Sequence, residues 1–100
     1  MSEILKPVKG AFVTTAATAS VVSLLQPAEI DLDTTHVRLT IEGGAIRFTL
    51  DGTNPTETRG ELLGDGTISM LSVEEAKVMK AISSDGTTAD LHTHQFIEIG

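Results

Sequence analysis

Two histidines one residue apart, His92 and His94, are the side chains in this sequence best placed to do chemistry. On a β-strand they would share a face, roughly 6–7 Å apart along it. With His36 brought beside them, they could hold zinc or nickel through imidazole nitrogens. A structural zinc site usually closes with four ligands, and no cysteine or third local carboxylate supplies the rest. The pair therefore reads as a polar strand face or an oligomer surface, and no metal ligand is assigned. Asp51-Gly52-Thr53-Asn54 has the look of a calcium loop, but the position that needs a bidentate glutamate is Leu62. Asn54-Pro55-Thr56 is no glycosylation acceptor, because proline occupies the middle position. Serines occur without a Gly-x-Ser-x-Gly elbow beside a histidine. Glu74 and Glu75 are neighbours, about 100° apart on a helix, so they suit a helix N-terminus better than a carboxylate dyad. The sequence reads as that of a non-enzyme, with no catalytic or cofactor-binding residue and no cofactor.

The totals narrow the classes further. A chain of 100 residues makes one domain with a single core. A net charge of −7 argues against nucleic acid as a partner, since a basic face is needed to displace counterions. Three Phe and no Trp or Tyr leave almost no stacking platform for sugars or bases. Without cysteine there is no disulfide framework, thiolate zinc site or thiol nucleophile. No run approaches the roughly 18 apolar residues of a membrane span. Ala11–Leu25, preceded by Lys6 and Lys9, faintly imitates a secretory leader, but Thr14, Thr15, Thr18, Ser20 and Ser23 interrupt it.

The elements that would position these residues are mostly strands. Residues 1–10 show no periodicity and are expected to be a flexible arm, leaving 11–100 as the folded domain. Ala11–Leu25 suggests two short strands, about 11–16 and 19–26. Val37 to Leu50 reads as a β-hairpin about a Gly43-Gly44 turn, with Ile41 opposite Ile46, Leu39 opposite Phe48 and Val37 opposite Leu50. Asp51 to Thr56 forms a rigid corner of Asx-type turns closed by Pro55. Thr67 to Leu71 alternates, with Ile68 and Met70 on one side. Ser72 and Glu75 have capping-box spacing, predicting one or two helical turns at 73–77 before a strand over 78–83. Asp85-Gly86 suggests a second hairpin, with either Ile82 opposite Ala89 or Ala81 opposite Leu91. Seven or eight short strands with frequent turns predict an all-β sandwich or small barrel.

The run Ile46-Arg47-Phe48-Thr49-Leu50-Asp51-Gly52-Thr53-Asn54-Pro55-Thr56, followed by Gly60, Leu62-Leu63, Val78–Ala81 and a closing strand at Leu91, resembles small β-rich virion proteins of tailed phages. The Thr-Leu-Asp-Gly-Thr-x-Pro-Thr corner is also similar to one in the immunoglobulin-like C-terminal domain of chitobiase-type hexosaminidases. No catalytic domain accompanies it here, so none of that chemistry carries over. The resemblance implies an antiparallel sandwich, immunoglobulin-like or jelly-roll-like. It also implies a virion protein made in the host cytoplasm: a capsid decoration (cement) protein, a homo-oligomer with a trimer favoured, whose partners are the major capsid protein or other virion proteins. The alternative is a stand-alone binding module of a tail or head fibre that recognises a glycan or host-surface protein. Neither role calls for nucleic acid or a membrane.

Overall fold

Alternating strands on both sides of one core are realised as two four-stranded antiparallel sheets in the computed structural model, which describes residues 4–99. The strands are β1 (Ile4–Ala17), β2 (Val22–Ser23), β3 (His36–Glu42), β4 (Ile46–Thr49), β5 (Glu61–Leu63), β6 (Ile68–Ser72), β7 (Lys80–Ser83) and β8 (Ala89–Ile99). A 3-10 turn spans Pro27–Glu29, and one helix, α1 (Val73–Val78), leads from β6 to β7. One sheet runs β1-β8-β3-β6 and the other β2-β7-β4-β5. The expected all-β sandwich is the fold.

Its connections differ from the expected ones. β3 and β4 are not a hairpin: β3 pairs with β8 and β6, whereas β4 pairs with β5 and β7 in the opposite sheet. Gly43 has a φ of 95°, while Gly44 keeps a non-positive φ, so the two do not make the type I′ turn that needs both positive. The chain instead arches across the core. Val37, Leu39 and Ile41 then face Ile46 and Phe48 from opposite sheets, and all five are buried. Gly44 allows this closeness, because a Cβ there would come within 3.2 Å of the Thr87 carbonyl oxygen. The second expected hairpin is also an arch, so neither proposed register occurs. Ala81 pairs with Val22 and Phe48, and Ile82 with Arg47. Ala89 pairs with Ala17, and Leu91 with Thr15 and Ile41.

The N-terminal third differs too. In place of two strands at 11–16 and 19–26 there is one long strand, β1, and a two-residue β2. Of the stretch set apart as an arm, residues 1–3 lie outside the described residues. Ile4–Gly10 belongs to β1, with Ile4 to Pro7 paired to Ile99 to Phe96 before the register shifts between Pro7 and Phe12.

The helix begins where expected. The Ser72 hydroxyl accepts from the Glu75 amide at 3.1 Å, and the Glu75 carboxylate accepts from the Ser72 amide at 2.9 Å. Ala76 is the buried residue of this short helix.

Gln95 is buried in the face of β8 that points into the sandwich, and all of its polar atoms are used. Its Oε1 accepts from the Asp31 amide at 2.8 Å and the Thr34 hydroxyl at 2.7 Å, while its Nε2 donates to the Glu29 carbonyl at 2.7 Å. One side chain thus anchors the long crossover from β2 to β3. Gln95→Leu keeps the volume but leaves those three groups without that partner, and is expected to cost at least about 2 kcal/mol. Phe48→Ala should cost about 3–5 kcal/mol through lost burial and the cavity left behind. Denaturation midpoints check both, and wild-type midpoints would contradict this core.

Candidate functional site

The strongest concentration of interactive side chains is the outward face of the β1-β8-β3-β6 sheet. Along β8, Ala89, Leu91, Thr93 and Gln95 are buried, so the alternation turns Asp90, His92 and His94 to the other face. Antiparallel pairing lines up Phe12 with His94 and Arg38, and Arg38 with Met70. The next rung holds Thr14, His92, Thr40 and Ile68 in the same order.

The first of these rungs is the centre of an aromatic ladder. Phe12 stacks on His94 with ring centroids 4.0 Å apart and planes inclined by 29°. His94 meets Phe96 at 4.9 Å, and the Arg38 guanidinium carbon lies 5.2 Å from the Phe96 centroid, a cation–π arrangement. Phe96 is 9% exposed under these neighbours, but Phe12 is 68%, Ile68 66% and Met70 45% exposed. The face therefore has a covered aromatic centre and an uncovered apolar margin. His94 Nε2 donates to the Val8 carbonyl at 3.2 Å, which ties the early part of β1 to the ladder, and its Nδ1 is buried without a partner.

His92 and His94 share this face, as their spacing predicts. His36 does not join them. It pairs with Phe96, four residues from His92 along β8, or about 13 Å at strand rise. The three histidines therefore form no common site. Their ring nitrogens hydrogen-bond to Thr14 (His92), Thr35 (His36) and the Val8 carbonyl (His94). Glu42 lies opposite Asp90 at the end of the face, and its carboxylate is 3.5 Å from His92 Nε2. This grouping escaped the sequence reading because it depends on β3 lying beside β8. Asp90-x-His92 was legible as a shared face; Glu42 as its neighbour was not. The exposure of Ile68 and Met70 was hidden for a similar reason. Their alternation is plain, but the pairing of Leu71 with Val37 decides that they face outward.

The corner after β4 is held by its own atoms. The Asp51 carboxylate accepts from the Thr53 hydroxyl at 2.6 Å and the Thr53 amide at 3.0 Å. Thr56 and Arg59 exchange backbone hydrogen bonds at 2.9 and 3.2 Å. Pro55 is fully buried, and a Cβ on Gly60 (φ 119°) would fall 2.9 Å from the Phe48 carbonyl oxygen. These contacts make Asp51–Gly60 a brace between β4 and β5.

No family model, no curated protein and no solved structure matches the chain. Any function must therefore be argued from the face and the corner themselves.

The corner also supplies a pH test. Hydrogen bonds from Thr53, the hydroxyl first and the amide second, hold the Asp51 carboxyl below its ordinary value of 3.8. A depressed folded-state pKa stabilises the fold fully above the unfolded value, and this contribution disappears as pH falls through the folded one. Thr53→Val removes the hydroxyl donor, so the Asp51 titration midpoint, followed by carboxyl NMR, should rise toward 3.8. An unchanged midpoint would show that the hydroxyl is not its cause.

Proposed function

We propose that this protein is a structural component of a bacteriophage virion, a decoration protein that docks on the capsid lattice without performing chemistry. The observation that carries the docking part is the outer face, where Phe12, Ile68 and Met70 stand exposed around the Arg38–Phe96–His94 ladder. A large exposed apolar patch marks an interaction surface, and here the exposed apolar side chains lie on one sheet face, Phe12 on one edge strand and Ile68 and Met70 on the other. Arginine and aromatic residues are also the types that concentrate binding energy at protein interfaces. The virion part rests on the resemblance of the Ile46–Thr56 run to tailed-phage proteins.

The physics of a lattice suits such a face. Each copy needs only a modest contact, because a closed homo-oligomer, with a trimer favoured, engages several capsid sites together through effective concentration. One observation favours the alternative, a fibre-borne module that recognises a glycan: Phe12 offers an exposed aromatic ring supported by the His94 imidazole.

Purified protein added to capsids lacking it should occupy capsomer junctions by electron microscopy and improve capsid survival on heating. Met70→Glu together with Ile68→Lys should abolish occupancy while leaving the protein's own unfolding midpoint nearly unchanged, since both side chains face solvent in the free chain. Absence of density at the junctions with no gain in survival would reject decoration. Density on a tail or fibre would favour the alternative.

A further inference from the structure

We propose that Glu42, Asp90 and His92 form a surface site for one divalent transition-metal ion of the zinc class. Each supplies one donor atom, and all three atoms lie within 4.8 Å of one another. The strands dictate the grouping: Glu42 and Asp90 are direct cross-strand partners, and His92 is two residues along β8 from Asp90, on the same face.

Several features of this corner call for a cation. Like charges placed directly opposite each other on neighbouring strands are destabilising. Among the described residues, no lysine or arginine forms an ion pair with either carboxylate, on a chain whose net charge is −7. His92 stands 3.5 Å from Glu42, too far for a sound hydrogen bond. Both side chains of that contact are well exposed, His92 at 39% and Glu42 at 74%, so an imidazolium–carboxylate pair there would contribute little. It would also leave Asp90 unaccounted for.

The same distance suits a shared metal. Zinc bonds of about 2.0–2.2 Å at a tetrahedral angle separate two donors by about 3.3–3.6 Å. The histidine is oriented as a ligand would be. The Thr14 hydroxyl engages Nδ1 at 3.0 Å, which leaves Nε2 turned toward Glu42. When Nδ1–H donates to that hydroxyl, Nε2 presents the lone pair a metal needs.

The donor set selects the ion. Calcium takes six or more oxygens and magnesium a near-ideal octahedron of them, whereas one imidazole with two carboxylates matches zinc and its neighbours. Three protein ligands leave at least one coordination position for water or for a group from outside the chain. The site is independent of the docking proposal.

The untagged, chelator-treated chain titrated with ZnCl2 in a non-coordinating buffer should take up one equivalent by calorimetry. The triple substitution Glu42→Gln, Asp90→Asn and His92→Gln should abolish this uptake. Thr14→Val, which touches no metal, should weaken it about tenfold, and His36→Ala should leave it unchanged. Paramagnetic Co2+ added to the wild-type chain locates the site without any variant. It should broaden the amide signals of Thr14, Thr40, Glu42, Asp90 and His92 first. No uptake at millimolar zinc, uptake that survives the triple substitution, or broadening centred elsewhere would each overturn the assignment.

Discussion

The arch between β3 and β4 is the constraint on which the rest of the molecule depends. Only Gly43, Gly44 and Ala45 separate the two strands, yet they lie in different sheets. Where the chain passes the Thr87 carbonyl, Gly44 avoids a tight contact, since a Cβ there would lie 3.2 Å from that oxygen. Once β3 leaves its sequence neighbour, both of its edges are free to pair, one with β8 and the other with β6. β8 in turn brings β1 into the sheet. Both the aromatic ladder and the Glu42–Asp90–His92 group exist because of these pairings. A conventional hairpin would have given β3 the strand β4 as a neighbour and dispersed both.

The alternation of residues was legible from the start, and it was correct. Val37, Leu39, Ile41, Ile46, Phe48 and Leu50 read as one apolar surface; the first five are buried and Leu50 is half-buried against them. What alternation cannot distinguish is two strands lying side by side from two strands facing each other across a sandwich. In both arrangements the same residues meet in the core. The Gly-Gly pair tipped the sequence reading toward a hairpin, because a positive φ at both glycines is a hairpin signature. In the fold only Gly43 uses that freedom, while Gly44, with no positive φ, serves by its small volume beside the Thr87 carbonyl. Signals confined to a few residues fared better. The Ser72–Glu75 capping box needs no distant partner, and it forms as its spacing predicts.

The candidate site shows the same division in sharper form. That His92 and His94 share a face follows from strand geometry alone. Their separate fates do not. His94 is taken up between two phenylalanines from different parts of β1 and β8, while His92 is left beside two carboxylates. His36, which would have had to come near for a three-histidine site, stays apart because β3 runs antiparallel to β8, which sets His36 against Phe96 and Glu42 against Asp90. Long-range register decides which chemistry meets, and a single sequence carries little direct information about it. Gln95 is a similar case. An inward-facing glutamine in an otherwise alternating strand looks like an error of patterning until the crossover loop that it ties down is in place.

The sheet edges restrict how a partner can approach. Exposed edges invite strand addition unless they are short, charged or interrupted. β2 and β5, the edges of one sheet, have two and three residues. In the other sheet β6 is five residues long and runs directly into α1, which ends its pairing. β1 is long, but its first half carries Lys6, Pro7 and Lys9 and a shift in register, and Thr15 in its second half donates its hydroxyl to the Leu24 carbonyl. Each edge is thus shortened, charged or occupied. The outer face of the β8 sheet has no such protection: its apolar margin at Phe12, Ile68 and Met70 is open, and no charge is placed among those three side chains except Arg38, itself engaged with Phe96. The edges are thus guarded while this face is not, so the apolar side chains open to contact lie on the sheet face and not along an unpaired strand.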